Sequence, residues 1–234
     1  DNSIRPIFQD RRGSIWIGTY YGGISVYDRD LPIFQHYSKD GRPASLSYNV
    51  VSGIVQDKQG GYWIGTEGGG LDYMNPEKRV IRHYSHQQNQ ASSLSNNHVK
   101  HIFIDSKANV WIGTYSGGLN ILKPDQQGFE HIRHDPNDAS SLSSNNVYSI
   151  KEDHQGHLWI GTYGGGLNLK KAGTTGYYEQ YMPGKRAPYN LSSEMVRTVF
   201  IDSRKNVWAG TENGLNVKWA GKEAFDVFFP NISL

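Results

Sequence analysis

The chain has no cysteine and no long apolar run. Without cysteine among its 234 residues, neither a disulfide framework nor thiolate chemistry is available. The apolar runs extend over only a few residues, whereas a transmembrane helix needs roughly 20. The first residues, Asp1-Asn2-Ser3, do not resemble a signal peptide. We therefore expect any export signal or membrane contact to belong to segments outside this sequence.

An excess of charge of one sign is also missing. The 24 basic and 22 acidic residues leave a formal charge of +2, so no general attraction to nucleic acid is predicted. The apolar residues show no 3.6-residue period, which excludes helical repeats. What the chain has instead is 27 glycines and 15 tyrosines. This composition is typical of short strands joined by tight turns.

A repeated motif runs through the whole sequence. Trp-Ile-Gly-Thr begins at Trp16, Trp63, Trp111 and Trp159, and it returns in altered form as Trp208-Ala209-Gly210-Thr211. The successive spacings are 47, 48, 48 and 49 residues. A period this even indicates one supersecondary unit copied five times.

One repeat contains four runs with strand character. In the third repeat these are the run between Asn97 and Asp105, then Val110 to Thr114, Leu119 to Leu122, and Phe129 to His134. Four strands in about 47 residues is typical of a propeller blade. We therefore predict an all-β fold, a β-propeller of four-stranded antiparallel blades with five repeats present. As a single propeller region, its blades are predicted at about 1–44, 45–92, 93–140, 141–190 and 191–234.

The turn between the first two strands of each repeat carries a second motif. Asp-x-x-Gly occurs at Asp10, Asp57 and Asp153, where Asp caps the turn and Gly takes a left-handed conformation. Ala108 and Lys205 replace that glycine, and each is followed by an asparagine, which tolerates the same backbone region. We interpret this motif as structural. The repeated tryptophans are likewise predicted to lie in the core between sheets.

The full motif, nearly complete from Asp153 to Asn168, resembles the two-component regulator propeller repeat, as do the Ser-Leu-Ser linkers at Ser45, Ser93 and Ser141. The resemblance implies a periplasmic sensor module of a hybrid histidine kinase that recognises oligosaccharides. It also implies dimerisation, and a membrane helix and kinase outside this sequence. Relatives carry more repeats than five, so the chain looks like a piece of a longer array.

The number of whole repeats bears on assembly. Five complete periods are present, with no strand left over for exchange between the first and last blades. We therefore expect either a five-bladed ring without a swapped strand or an open arc completed by another copy. The arc would need a second copy, and the resemblance also implies dimerisation, so we expect a homo-oligomer.

Antiparallel alternation brings two sets of variable residues to one rim. Directly after the repeated Thr come Tyr20, Glu67, Tyr115, Tyr163 and Glu212. Near the start of each repeat's first strand come Arg5, Ser52, Lys100, Tyr148 and Arg197. Tyrosine rings stack on pyranose rings, while Arg, Lys and Glu bind hydroxyl, carboxylate or sulfate groups. We predict an oligosaccharide ligand, neutral or anionic; the alternative is a structural or dimerisation propeller whose rim residues are merely solvated.

Metal binding and catalysis find little support in the sequence. In His98-x-x-His101 and His131-x-x-His134, residues three apart on a strand point to opposite faces and cannot share one ion. His154 and His157 flank a turn and could converge, but a third ligand is not evident.

Sialidases and streptogramin lyases also use propellers, and Glu67 with Glu212 could form a carboxylate pair. These two glutamates lie in different repeats, so we predict no catalytic residue. We also predict no metal site and no cofactor.

Overall fold

The structure, a computed structural model, describes residues 3–30, 33–124 and 127–229. The first two and the last five residues of the predicted outer blades lie outside these ranges. The chain forms two compact units. The first unit comprises Asp1–Thr114 and Asn120–Glu130, and the second unit comprises Tyr115–Leu119 and His131–Leu234.

Within the residues that the structure describes, twenty strands form five antiparallel sheets. The first sheet consists of β1 (Ile4–Gln9), β2 (Ile15–Thr19), β3 (Ile24–Tyr27) and β4 (Phe34–Tyr37). The second consists of β5 (Val51–Gln56), β6 (Tyr62–Thr66), β7 (Gly70–Met74) and β8 (Val80–Tyr84). The third consists of β9 (Val99–Ile104), β10 (Val110–Thr114), β11 (Leu119–Leu122) and β12 (Glu130–Ile132).

The last two sheets belong to the second unit. The fourth consists of β13 (Val147–Glu152), β14 (Leu158–Thr162), β15 (Leu167–Lys170) and β16 (Glu179–Tyr181). The fifth consists of β17 (Val196–Ile201), β18 (Val207–Thr211), β19 (Gly214–Lys218) and β20 (Asp226–Phe228). Among the described residues, no helix has the length and apolar character needed to cross a lipid bilayer.

Every sheet contains the four consecutive strands of one repeat, paired in chain order. This confirms the predicted fold class, a β-propeller of four-stranded blades, and each sheet is one blade. The fourth strand of blade 3 is shorter than predicted, because Phe129 and His134 lie outside it. The Phe129 N–H donates to the carbonyl of Ser92, and the His134 N–H donates to Asn145 Oδ1. These bonds to linkers replace ladder bonds at both ends of β12.

The repeated tryptophans lie in the core, as predicted, in blades 1 to 4. Trp16 is completely buried in a cluster with Val51 and Ile54 of blade 2. Trp159 is 3% exposed and lies in a cluster with Val196 and Val199 of blade 5. Each of these contacts joins neighbouring blades within one unit, and truncating such a tryptophan costs about 3–5 kcal/mol. Trp208 of blade 5 is only half-buried.

A hydrogen bond explains the fixed spacing between the turn aspartate and the tryptophan. In four blades the indole N–H donates to the carboxylate six residues earlier, over 2.8 to 3.0 Å; the acceptors are Asp10, Asp105, Asp153 and Asp202. The same aspartates also accept backbone N–H bonds within the turn, for example from Ser14. One carboxylate therefore anchors both the turn and the core side chain.

The left-handed turn residue differs from the sequence expectation in two blades. The asparagines after Ala108 and Lys205 do not supply the left-handed conformation; Ala108 and Lys205 adopt it themselves, with φ of 66° and 69°. Asn109 and Asn206 instead donate through their side-chain amides to the turn aspartates, over 2.7 and 2.8 Å. This additional bond stabilises a backbone conformation that residues other than glycine rarely adopt.

Blade 1 differs from the other blades in the exposure of its first strand. Ile4 and Ile7 of β1 are 57% and 66% exposed, whereas the corresponding Val51 and Ile54 of β5 are 0% and 5% exposed. Val51 and Ile54 are covered by Trp16 and its neighbours in the preceding blade. The face of β1 therefore has the side chains of a blade interface but remains accessible to solvent.

Candidate functional site

The turn that follows each Trp-Ile-Gly-Thr motif is held rigidly. The Thr hydroxyl donates to the carbonyl of a turn glycine, as in Thr66 to Gly70 and Thr162 to Gly166. The N–H groups of those glycines donate in turn to carbonyls of the next linker, at Asn97 and Glu194. Because both ends of the turn are fixed, the variable residue after Thr has a defined position. The threonine is structural, and the residue after it is available for function.

A β-bulge presents the second set of candidate residues. In β13, Val147 pairs with Thr162 and Ser149 with Gly161, which leaves Tyr148 as the extra residue. The same irregularity leaves out Arg197 in β17, Lys100 in β9 and Ser52 in β5, and it occurs near Arg5 in β1. A bulge redirects a side chain that the ladder would otherwise fix, and bulges are common next to binding sites. The predicted strand residues are therefore aimed by backbone geometry.

In the first unit the structure brings four predicted residues together: Arg5, Tyr20, Glu67 and Lys100, the first cluster. Glu67 Oε1 accepts from Arg5 at 2.6 Å, and Oε2 accepts from Lys100 at 2.7 Å. The guanidinium of Arg5 also lies over the ring of Tyr20, 5.1 Å from its centroid. One carboxylate thus connects side chains from three blades.

The two cations determine the ionisation of Glu67. Burial alone would raise its pKa, but the hydrogen bond and charge of Lys100 and the charge of Arg5 outweigh this effect. The pKa of Glu67 consequently lies below its ordinary value. Since its side chain is only 14% exposed, the carboxylate is committed to these two partners.

In the second unit four more predicted residues meet: Tyr148, Tyr163, Arg197 and Glu212, the second cluster. The two tyrosine rings lie 5.4 Å apart at an interplanar angle of 30°. Arg197 lies over both rings, 4.5 Å from the centroid of Tyr163 and 5.4 Å from that of Tyr148. Its guanidinium donates twice to Glu212 Oε1, over 2.5 and 3.1 Å.

The second cluster is more open than the first. The side chains of Arg197 and Glu212 are 49% and 39% exposed. A hydrogen bond to Glu212 raises the pKa of Tyr163, with partial burial acting in the same direction. Bonding to Glu212 also raises the pKa of Arg197. The cluster therefore presents two phenol rings, a guanidinium and a carboxylate, all in reach of solvent.

Tyr115 and Ser52 are two further candidate positions. Tyr115 follows β10 and is 49% exposed. Ser52 Oγ is buried and has no hydrogen-bond partner within the described residues. The hydroxyl of Ser52 is therefore shielded from solvent, although the residue as a whole is half-buried.

The sequence interpretation missed the linker residues that support the rim. Carbonyls of Asn49, Asn97 and Asn145 accept N–H bonds from the turn glycines Gly23, Gly70 and Gly118. These asparagines recur every 48 residues, so their period was a usable signal. Their role is to fix the turns that carry the candidate residues.

The described ranges hold no group of three or more His, Cys, Asp or Glu side chains placed to bind a metal ion. His157, one of the two turn histidines, uses Nδ1 to accept the N–H of Ala172 at 3.0 Å. That nitrogen is therefore occupied by a structural hydrogen bond.

Comparison with known proteins gives matches to a family, a kinase and several propellers. The family described as "Two component regulator propeller" matches residues 1–21, 45–68 and 141–164. A protein named histidine kinase P4 from Formosa agariphila is 46% identical over 43 residues, which are 18% of this chain and 3% of the kinase.

Two solved structures have a similar fold over 98% of this chain. One is the extracellular domain of the putative hybrid two-component system BT3049 from B. thetaiotaomicron, with a TM-score of 0.55, 20% identity and 40% of that chain covered. The other is virginiamycin B lyase from Staphylococcus aureus, with a TM-score of 0.69, 11% identity and 71% of that chain covered. The chain thus spans a small part of the kinase and less than half of the BT3049 domain. The matches agree with the resemblance found in the motif: three segments of this chain match the two-component regulator propeller family.

Proposed function

We propose that the chain is the ligand-sensing part of a two-component receptor and that it binds oligosaccharides at the second cluster. The observation that carries this proposal is the arrangement of Tyr148 and Tyr163 beside Arg197 and Glu212. Two aromatic rings lie next to a solvent-accessible ion pair. Sugar-binding sites require this combination of flat apolar surface and directional polar groups.

Each component has a defined task. A pyranose ring presents C–H groups on one face, which pack on an aromatic ring. Its hydroxyl groups both donate and accept, so they can bond to the Glu212 carboxylate and the Arg197 guanidinium. Because these two groups already bond to each other, their orientation is set before a ligand arrives. Such preorganisation reduces the entropic cost of binding.

The charges of the two clusters favour different sugars. The second cluster combines one cation, Arg197, with one carboxylate, Glu212, and therefore suits a neutral oligosaccharide. In the first cluster two cations share the carboxylate of Glu67, so a net positive charge remains. An anionic sugar would be attracted to the first cluster more than to the second.

The comparisons support the proposed setting. The name of the F. agariphila protein is that of a histidine kinase, and the BT3049 domain is described as extracellular. We propose a periplasmic location and a kinase in segments outside this sequence. Ligand binding would then alter the arrangement of two protomers and transmit a signal across the membrane.

We propose no catalytic role for this region, although one of the similar folds belongs to a lyase. Glycoside cleavage needs a protonated carboxyl as general acid. Glu67 is held ionised by Arg5 and Lys100, and its pKa is below its ordinary value. Glu67 is therefore unsuited to that role.

A thermal-shift screen against neutral and acidic oligosaccharides tests the proposal. For any ligand found, titration calorimetry should show that Tyr163→Ala weakens binding roughly tenfold, since a lost aromatic contact is worth about 1.4 kcal/mol. Glu212→Gln should weaken binding without lowering the thermal midpoint, because Glu212 lies on the surface.

Tyr177→Ala is a matched control, since Tyr177 is another exposed tyrosine of the second unit, 52% exposed and outside the cluster. Its affinity should equal that of the parent. Parent affinity in the Tyr148→Ala, Tyr163→Ala double variant would refute the location of the site. Absence of a shift with every oligosaccharide would count against sugar sensing itself.

A structural or assembly role is the second candidate function. It is favoured by the exposed Ile4 and Ile7 of β1, whose counterparts in β5 are buried by a neighbouring blade. This role predicts self-association that does not depend on any sugar.

A further inference from the structure

A cavity of about 550 Å³ opens in the second unit, at the end of β14 opposite to Tyr163. Its lining comes from the β13–β14 turn, β16, the β17–β18 turn and the segment after β19. Five residues of strand at roughly 3.3 Å each separate this end from the second cluster by about 17 Å. The cavity is therefore a different site from the proposed sugar site. Its volume lies in the range of small-molecule pockets, about 300–1,000 Å³.

Aromatic side chains form the walls of this cavity. Trp159 and Tyr181 are both 3% exposed and lie 5.7 Å apart, measured between ring centroids. The ring of Tyr189 lies 5.4 Å from that of Tyr181 and is 39% exposed. Trp219 lines the cavity from the segment after β19. A flat apolar ring that enters the cavity would meet aromatic surface.

Residues that depart from the repeat build this cavity. Trp219 is the one tryptophan of six that stands outside the repeated motif. Tyr189 belongs to a linker turn that has no Ser-Ser-Leu-Ser sequence, and its carbonyl accepts the N–H of Met182 at 2.9 Å. In the first unit, the corresponding space beside Ala108 is only about 270 Å³. The cavity of the second unit is thus about twice as large as its counterpart.

Lys205 is a further departure, and its backbone is strained. It occupies the left-handed turn position, with φ of 69°, that glycine fills in three other blades. A lysine is less favourable there than glycine, and strained residues of this kind concentrate at functional sites. Lys205 is one of the residues that line the cavity, and it is exposed to solvent. The turn therefore retains a cation here although a glycine would fit its backbone better.

The charges around the cavity leave Lys205 available to a ligand. Lys171 is paired with Glu179, and Lys222 with Asp226 at 3.5 Å. Asp153 accepts from the indole N–H of Trp159 and from the N–H of His157. Within the described part of the chain, no ion pair is formed by Lys205. An acidic group in the cavity would gain a charge-assisted hydrogen bond there.

His157 offers a second donor. Its Nδ1 accepts the N–H of Ala172, so in the neutral ring the proton is on Nε2. The imidazole therefore contributes an N–H donor among the lining residues of the cavity.

We propose that this cavity binds a small aromatic carboxylate, with its ring against Tyr189 and Trp219 and its acid group at Lys205 and His157. The site would make the second unit responsive to a ligand class other than sugars. It goes beyond the proposed function and does not depend on it.

Titration calorimetry with 4-hydroxybenzoate tests the proposal. 4-Hydroxybenzyl alcohol provides the same ring without charge, and glucuronate provides an acid without an aromatic ring. Binding of the benzoate should be roughly tenfold tighter than binding of either comparison compound, because each lacks one of the two recognised groups.

Two substitutions locate the site. Lys205→Gly should weaken benzoate binding roughly tenfold while leaving the thermal midpoint equal to or above that of the parent, since glycine suits the left-handed turn. Tyr189→Ala should weaken binding by removing an exposed wall. Arg204→Ala removes a neighbouring exposed cation that does not line the cavity, and its affinity should be unchanged.

Parent affinity in both Lys205→Gly and Tyr189→Ala would overturn the proposal, as would equal affinity for the acid and the alcohol or no binding of 4-hydroxybenzoate. The proposed sugar site can be refuted independently of this cavity. Lys205→Gly should leave oligosaccharide binding unaltered, and Tyr163→Ala should leave benzoate binding unaltered.

Discussion

The buried carboxylate of Asp72 offers a sharp test of the physical reasoning. Asp72 stands in β7 where blades 3 to 5 have Asn120, Asn168 and Asn216, and all four side chains are completely buried. Each asparagine accepts the N–H of a linker serine through Oδ1 and donates to that serine's hydroxyl through Nδ2. Asp72 accepts from Ser47 in the same way, but it cannot donate when ionised.

A histidine partner compensates in part for the missing donor. His83 Nδ1 lies 2.8 Å from Asp72 Oδ1, and His83 Nε2 lies 3.4 Å from the carbonyl of Pro43. Both ring nitrogens thus face acceptors, so the pair needs either a protonated imidazole or a proton on Asp72. Burial raises the pKa of Asp72 above its ordinary value of 3.8, and hydrogen bonds from Ser47 and His83 only partly oppose this.

We expect Asp72→Asn to stabilise the protein at pH 7. The new amide nitrogen, in the place of Oδ1, could donate to His83 Nδ1, while the amide oxygen, in the place of Oδ2, keeps the bond from Ser47. Every one of these polar groups is then satisfied without a buried charge. A gain of one neutral hydrogen bond predicts about 1 kcal/mol, which corresponds to an increase of about 2–4 °C in the melting temperature for a chain of this size.

The effect should depend on pH in a defined direction. Since the pKa of Asp72 is higher in the folded than in the unfolded state, the folded state binds more protons between the two values. The stability of the parent therefore falls as pH rises through this window, and Asp72→Asn removes the fall. Calorimetric scans should show a small difference near the ordinary value of 3.8 and a larger one at neutral pH.

Asn216→Asp is the matched control, because Asn216 pairs across its sheet with Val227 rather than with a histidine. A buried carboxylate without a partner should cost about 3 kcal/mol at neutral pH. A lower melting temperature of Asp72→Asn at pH 7, with Asn216→Asp unchanged, would refute the reasoning. It would mean that a buried carboxylate does not lower the free energy of unfolding in this fold.

Two further predictions concern the turns and the exposed face of blade 1. Gly166→Ala should destabilise by roughly 3 kcal/mol, because Gly166 has φ of 70° and a Cβ there would overlap the carbonyl oxygen of Tyr181; Gly164→Ala, with φ of 89° and open space, should cost only about 1 kcal/mol. Equal losses in thermal denaturation would contradict this. Light scattering should show self-association that is reduced by Ile4→Ser with Ile7→Ser, and a parent protein that is monomeric at all concentrations would exclude it.

The repeat made most of the fold predictable. Strand positions follow from the alternation of apolar residues, and the burial of Trp16 and Trp159 follows from their fixed place in every unit. The rim residues were also predictable, because antiparallel strands return to the same edge. These features depend on local periodicity, which is visible in the order of residues.

The partners of the rim residues were not predictable in this way. That Glu67 lies between Arg5 and Lys100 depends on the packing of three blades, and the bulges that aim Tyr148 and Arg197 leave no pattern in the sequence. The sequence likewise points to Asn109, rather than Ala108, as the residue in the left-handed conformation. Asparagine tolerates that conformation better, but its amide is needed to bond with the turn aspartate.

Departures from the repeat separate into two kinds by what surrounds them. Asp72 replaces a buried asparagine, and a histidine in the adjacent strand compensates for the change, so this departure concerns stability. Lys205 and Trp219 line a cavity, and Lys205 holds a left-handed conformation that glycine would adopt more easily, even with the support of the Asn206 amide. In a repeat protein, the other copies show what the fold alone requires at each position. A residue that is less favourable than its counterparts and faces accessible space is therefore the place to look for a ligand.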